Sequence, residues 1–121
     1  MKVKLSQIVN SIDALNRISK QPMKAIVSFK MAKNLKLLSE EISTFEQSKN
    51  DLIVKYGKEN KEGQIGIEPN TKEMTEFQKE LGELAALEVN LEGFNKIKLS
   101  NLSKCELSPE EMISLEFAIE E

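Results

Sequence analysis

The segment from Pro22 to Gly57 decides the fold, and it reads PMKAIVSFKMAKNLKLLSEEISTFEQSKNDLIVKYG. No glycine or proline interrupts it between its two ends, so it predicts a single helix of about 35 residues, with a length of roughly 52 Å. Proline suits the first turn of a helix, and glycine suits the position after the last turn. The other segments of the chain are shorter, so we expect this helix to organise them.

One face of the long helix carries a regular seam of mostly apolar residues. They alternate spacings of four and three, as in helices that pack along their length on other helices. The seam consists of Met31, Leu35, Leu38, Ile42, Phe45, Lys49, Leu52 and Tyr56. These residues are the candidate interaction site of the protein. We expect a dimer or higher oligomer, built at least partly on this helix and on the helix predicted below over residues 71–87.

Two features of the long helix depart from a single seam. Ile26 and Phe29 lie on the face away from it, which predicts that the first half of the helix packs on two sides. Lys49 interrupts the seam, where a polar residue can fix register or oligomeric state. We expect its ammonium to reach an acidic residue of the next helix or to lie at an oligomer contact; the alternative is a lysine that extends into solvent. The acidic residues in reach are Glu73, Glu76 and Glu80.

Two shorter helices accompany the long one. Spacings of three and four among Ile8, Ile12, Leu15 and Ile18 predict a helix over residues 7–19, and those among Met74, Phe77, Leu81 and Leu84 predict a helix over 71–87. The later helix is predicted to begin with a capping box of Asn70 and Glu73 and to pack antiparallel to the second half of the long helix. Residues 58–69, which are charged and contain two glycines, predict an exposed loop.

The rest of the chain alternates polar and apolar residues, which is typical of strands. Val89 with Leu91 and Ile97 with Leu99 predict a hairpin, to which residues 2–5 can add a third strand. Near the C-terminus, residues 108–111 read Ser-Pro-Glu-Glu, a strong helix start. The apolar face of that helix is expected to consist of Met112, Leu115 and Ile119.

These elements define one predicted domain over residues 1–121. Its fold class is α+β and mostly helical: a long antiparallel helical hairpin, about residues 22–87, stands on a small base. The base comes from residues 1–21 and 88–121 and contains a two- or three-stranded antiparallel sheet and the C-terminal helix.

Composition excludes several classes of site. Histidine is absent and Cys105 is the only cysteine among 121 residues, which excludes histidine-dependent triads, a disulfide framework and multi-cysteine metal sites. No phosphate-binding glycine motif occurs. We therefore predict no catalytic residue, no cofactor and no metal. No secretory signal or membrane span is found, so we expect a cytoplasmic protein with no membrane partner.

Charge is distributed unevenly along the chain. Residues 1–38 carry eight basic residues and one acidic residue, whereas residues 39–121 carry nine basic and 19 acidic residues. A basic segment can bind an anionic partner, and Lys30, Lys33 and Lys36 cluster on one helical face. They are the candidate anion-binding residues of the alternative function, nucleic-acid or nucleotide binding. The simpler interpretation is that basic and acidic parts of the fold lie together, within or between chains.

The order of several short motifs resembles a family of small uncharacterised proteins of tailed phages and prophages of Gram-positive bacteria. The similar stretches are residues 2–5 (KVKL), 52–57 (LIVKYG), 77–84 (FQKELGEL), 88–91 (EVNL), 97–100 (IKLS), 106–110 (ELSPE) and 115–117 (LEF). The resemblance implies a phage origin and brings no catalytic motif. We therefore expect a non-enzymatic interaction module, an assembly or adaptor component or a binder of a host protein, acting as an oligomer in the host cytoplasm.

Overall fold

The structure is a computed structural model that describes residues 1–121. Four α-helices and six short strands follow one another along the chain. The helices are α1 (Leu5–Ser19), α2 (Ala25–Tyr56), α3 (Lys72–Ala85) and α4 (Pro109–Ser114). The strands are β1 (Lys2–Lys4), β2 (Lys58–Glu59), β3 (Ile65–Gly66), β4 (Glu88–Asn90), β5 (Ile97–Lys98) and β6 (Ile119–Glu120). Two 3₁₀ turns cover Leu99–Leu102 and Glu116–Ala118.

The predicted α+β, mostly helical class is confirmed, and α2 is the longest helix. Helices α1 and α3 both pack against α2. The short connection between α1 and α2 places α1 beside the first half of α2, and α3 lies beside Ser48 and Leu52 in the second half. The pairing of α2 with α3 is antiparallel, because Ser48 shares a groove with Leu87 while Lys55 lies opposite Glu80. The two arms of this hairpin are unequal, since α3 has 14 residues and α2 has 32. The first half of α2, which we call its proximal half, is covered by α1 and does not project from the base.

The strands form three two-stranded sheets, so the predicted hairpin between the segments around Val89 and Ile97 is wrong. Strand β4 pairs antiparallel with β1, placing Glu88 opposite Lys4. Strand β5 pairs in parallel with β6, placing Ile97 opposite Ile119. Alternation identifies which segments are extended, whereas the packing of the helices selects their partners. The third sheet is a hairpin of β2 with β3, and it lies inside the segment 58–69 that was predicted as a loop.

The core lies where α1 and the proximal half of α2 meet the strands and the C-terminal segment. It is contiguous and consists of Val3, Leu5, Ile8, Ala14, Leu15, Ile18, Val27, Met31, Leu38, Phe45, Leu91, Ile97, Leu102 and Leu115. Aliphatic side chains dominate it, as the scarcity of aromatic residues requires. No α3 residue is fully buried, so α3 covers α2 from one side while its own outer face meets solvent.

Several helix ends differ from their predicted positions. Helix α1 begins at Leu5, two residues before the predicted start, because the Gln7 side-chain oxygen accepts the Lys4 N–H at 2.9 Å. Helix α2 begins at Ala25 and not at Pro22, since Lys24 supplies the first helical carbonyl. The predicted cap of α3 by Asn70 is wrong, because Thr71 Oγ1 accepts the N–H of Met74 instead.

The predicted start of the C-terminal helix is confirmed in atomic detail. Ser108 Oγ accepts the Glu111 N–H and Glu111 Oε1 accepts the Ser108 N–H, both at 3.1 Å, which is a complete capping box. The helix ends at Ser114, so Ile119 lies in β6 and not on its apolar face.

The chain exposes more surface than a compact protein of its mass. Its accessible surface is 8494 Å², whereas the usual scaling of surface area with mass gives about 6,600 Å² for a compact monomer of 13.7 kDa. Only 17 of the 121 residues are buried. The surplus exceeds the roughly 800 Å² that each partner covers in a standard interface. The length of α2 explains it, because α1 and α3 cover only one side of this helix.

Candidate interaction surface

The predicted interaction seam belongs mainly to the core of its own chain. Met31, Leu38 and Phe45 are buried, and Leu35 and Ile42 pack against them as half-buried residues. These residues therefore already have a partner within the chain, which corrects the expectation that they form a contact between chains. The seam is satisfied because α1 and α3 together run along most of α2.

The distal end of the seam is half-buried, and Lys49 forms none of the three ion pairs predicted for it within the chain. Lys49, Leu52 and Tyr56 are each partly exposed. One of the three expected acidic partners, Glu80, is paired with Lys55, and Glu80 Oε1 lies 3.4 Å from Lys55 Nζ. No ion pair of Lys49 is present in the chain. The prediction that Lys49 reaches across the hairpin is therefore wrong.

Glu80 lies at the centre of a small polar cluster near the end of α2. The neighbouring Tyr56 hydroxyl, followed by the Lys55 ammonium, holds the pKa of Glu80 below its ordinary value. The same contacts raise the pKa of Lys55, with Tyr56 as the larger cause. The Lys55 ammonium also lies 5.0 Å from the centroid of the Tyr56 ring, within cation–π range. Both Glu80 and Lys55 therefore carry their charges at neutral pH.

An open groove between the distal half of α2 and α3 has an acidic rim and apolar side chains. Its volume is about 470 Å³. Three carboxylates and three leucines line it together with one serine: Asp51, Glu80, Glu83, Leu52, Leu84, Leu87 and Ser48. Leu87 is 55% exposed. We call this feature the acidic groove. Lys55 offsets the charge of Glu80, which leaves Asp51 and Glu83 without an ion-pair partner.

The face of α2 that points away from the core presents large apolar side chains to solvent. Ile26 is 66% exposed and Phe29 is 62% exposed, although both were predicted to be packed. Lys30 and Lys33 lie beside them, and the Lys33 ammonium lies 5.1 Å from the centroid of the Phe29 ring. We call these four residues the basic apolar patch. The chain leaves the patch open because α1 has one apolar stripe and places it on the opposite face of α2.

The three candidate anion-binding lysines are all exposed on α2. Lys30, Lys33 and Lys36 form no ion pair within the chain. Two other basic residues of the N-terminal third are engaged elsewhere. Arg17 is paired with Glu111, and Lys4 of β1 lies opposite Glu88 of β4. These two residues are therefore not part of the lysine cluster on α2.

Arg17, the only arginine of the chain, holds α4 against α1. Its Nε and one terminal nitrogen donate to the two carboxylate oxygens of Glu111 at 2.8 Å, and the terminal nitrogen also donates to the Glu106 carbonyl at 2.6 Å. The Ser108 backbone N–H and then Arg17 hold the pKa of Glu111 below its ordinary value. The folded state favours the ionised form of Glu111. The stabilisation from this ion pair is therefore fully present near neutral pH and is lost as the pH falls through the lowered pKa.

Sequence reasoning missed Asn34, a buried polar residue on the inner face of α2. Asn34 is 1% exposed. Its side-chain nitrogen donates to the Asn95 carbonyl at 2.6 Å, and its side-chain oxygen accepts the Asn95 N–H at 2.9 Å. Asn34 lies three residues after Met31 and four before Leu38, both buried, so the spacing itself could have revealed it. Through it α2 fixes the loop between β4 and β5.

Comparisons of the chain with protein-family models, with curated proteins and with solved structures found no match. No group of three or more histidine, cysteine, aspartate or glutamate side chains is placed to hold a metal ion. None of the helices combines the length and the apolar character needed to cross a membrane. The basic apolar patch and the acidic groove are therefore the surface features on which a function can be argued.

Proposed function

We propose that this chain is a non-enzymatic protein-interaction module whose contact surface is the basic apolar patch of α2. The observation that carries the proposal is the exposure of Ile26 and Phe29, which lie one helical turn apart. Large apolar side chains grouped at the surface and rimmed by charged residues are typical of protein contact sites. Aromatic anchors contribute much of the binding energy in such sites, so Phe29 is the expected centre of the contact.

The module is proposed to be phage-encoded and to act in the cytoplasm of the host cell as an assembly or adaptor component or as a binder of a host protein. Its phage origin is based on the resemblance to small phage proteins. Two observations support a non-enzymatic role. The chain has no histidine, and its one bidentate ion pair, Arg17 with Glu111, holds α4 against α1. Nucleic-acid binding is less favoured, because Arg17 is already paired with Glu111 and Lys4 lies opposite Glu88.

The proposal is tested by replacing both apolar residues of the patch with serine. The tagged full-length variant Ile26→Ser/Phe29→Ser should capture at least about ten-fold less protein than the tagged wild-type chain, because apolar anchors dominate such contacts. The protein offered for capture is either the purified untagged chain or an extract of cells that produce the chain. Retained proteins are quantified by mass spectrometry.

Ile113→Ser is the matched control, since Ile113 is 73% exposed on α4, away from the patch. This variant should retain the same proteins as the wild type. Equal retention by all three chains would contradict the proposal. Retention that nuclease treatment removes, and that falls steeply with salt, would favour the nucleic-acid alternative instead.

A further inference from the structure

We propose that the partner of the basic apolar patch is a second copy of this chain, whose acidic groove receives it in an antiparallel dimer along α2. This inference rests on the proposed function, because it identifies the partner of the same surface. Charge complementarity is the first support: Lys30 and Lys33 have no ion-pair partner in their own chain, and neither have Asp51 and Glu83.

The positions of these groups on α2 are the second support. At about 100° of rotation per residue, Ile26, Lys33, Thr44 and Asp51 project from nearly the same side of the helix. This side faces away from the buried Met31 and Leu38. The patch and the Asp51 side of the acidic groove therefore belong to one stripe along α2, with basic residues near its start and an acidic residue near its end.

The third support is that two independent matches require nearly the same register. Val54 is, after Ile26 and Phe29, the remaining strongly exposed apolar residue of α2, at 61%. Pairing Phe29 with Val54 of the second copy centres a two-fold axis between residues 41 and 42. Pairing Lys30 with Asp51 centres it between residues 40 and 41. The two centres differ by one residue, about 1.5 Å along the helix.

A two-fold axis at this level makes the two contacts between patch and groove equivalent. Each chain then places its patch against the acidic groove of the other, so that every contact occurs twice, as in an isologous dimer. The arrangement would cover exposed Ile26, Phe29 and Val54 of both chains, and it uses the surplus surface along α2. Its cost is that Glu40 and Glu41 of the two copies approach each other near the axis.

A charge exchange tests the inference directly. The wild-type chain should sediment as a dimer at tens of micromolar in about 0.1 M salt. Lys30→Glu/Lys33→Glu and Asp51→Lys/Glu83→Lys should each weaken self-association at least about ten-fold, because like charges then face each other at both contacts. Mixing the two variants in equal amounts should restore a dimer, because the acidic patch of one then meets the basic groove of the other, and the native patch meets the native groove at the second contact.

Glu40→Gln/Glu41→Gln should strengthen the dimer, because it removes the repulsion near the axis. A mixture that stays monomeric, or variants that self-associate as well as the wild type, would overturn the inference, and so would a weaker dimer in Glu40→Gln/Glu41→Gln. Circular dichroism of each variant shows whether its helices are intact. The dimer would be overturned, but the proposed function would stand, if two results came together. The wild-type chain would be a monomer, and Ile26→Ser/Phe29→Ser would still abolish capture of another protein.

Discussion

Replacing Asn34 by alanine should lower the free energy of unfolding by about 2 kcal/mol, because both hydrogen bonds to Asn95 are lost at a buried site. Asn34 is the residue through which α2 holds the loop between β4 and β5. Urea unfolding followed by circular dichroism measures the change, and the Asn95 amide should exchange its hydrogen faster in the variant.

Two further variants show whether the effect comes from these hydrogen bonds. Asn34→Asp keeps an oxygen that accepts the Asn95 N–H but places a carboxylate against the Asn95 carbonyl, so it should cost about 3 kcal/mol or more. Asn50→Ala, at an exposed position of the same helix, should change stability by less than about 0.5 kcal/mol. Equal stability of Asn34→Ala and Asn50→Ala would contradict the role given to Asn34.

Replacing Gly57 by alanine should cost about 3 kcal/mol, because the added methyl group has no space. The Gly57 N–H closes α2 by donating to the Ile53 carbonyl at 2.7 Å. A Cβ at this position would overlap that carbonyl oxygen and lie 2.7 Å from Ile65 Cγ2 of the β2–β3 hairpin. Backbone atoms are among the obstacles, so a change of side-chain rotamer cannot relieve the overlap.

Gly66→Ala is the matched control for Gly57→Ala. Nothing lies within 4 Å of a Cβ built at Gly66, and its backbone needs no glycine, so this variant should unfold within about 0.5 kcal/mol of the wild type. Thermal and urea unfolding of both variants give the comparison. If the two alanines have the same effect, the hairpin does not pack on the end of α2 as described.

The reason for the glycine at position 57 illustrates what sequence can predict. A glycine after a long uninterrupted segment correctly marks the end of α2. Glycine after a helix commonly adopts a left-handed backbone, yet Gly57 has a φ of −87° and the actual requirement is space beside Ile65. Gly82, inside α3, has open space around it, so close packing does not explain it; it costs about 1 kcal/mol relative to alanine.

Local signals were predictable, whereas the choice of partners was not. The capping box of Ser108 and Glu111 depends on neighbouring residues and could be predicted from their spacing alone. The pairing of β1 with β4 joins residues far apart in the chain, and alternation carries no information about it. Apolar spacing likewise predicted that Ile26 and Phe29 pack against a neighbour, but it could not show that their own chain leaves them uncovered.

The most direct test of the central claim is photo-crosslinking from position 29. A full-length chain with benzoylphenylalanine in place of Phe29 is irradiated, and a chain with the same group in place of exposed Gln78 on α3 serves as the control. The account predicts a covalent adduct to a polypeptide from position 29 and much less from position 78. In the dimer, the acceptor peptide contains Val54 of the second copy. Absence of any protein adduct from position 29, or adducts to nucleic acid alone, would contradict the assignment of the basic apolar patch as a protein contact surface.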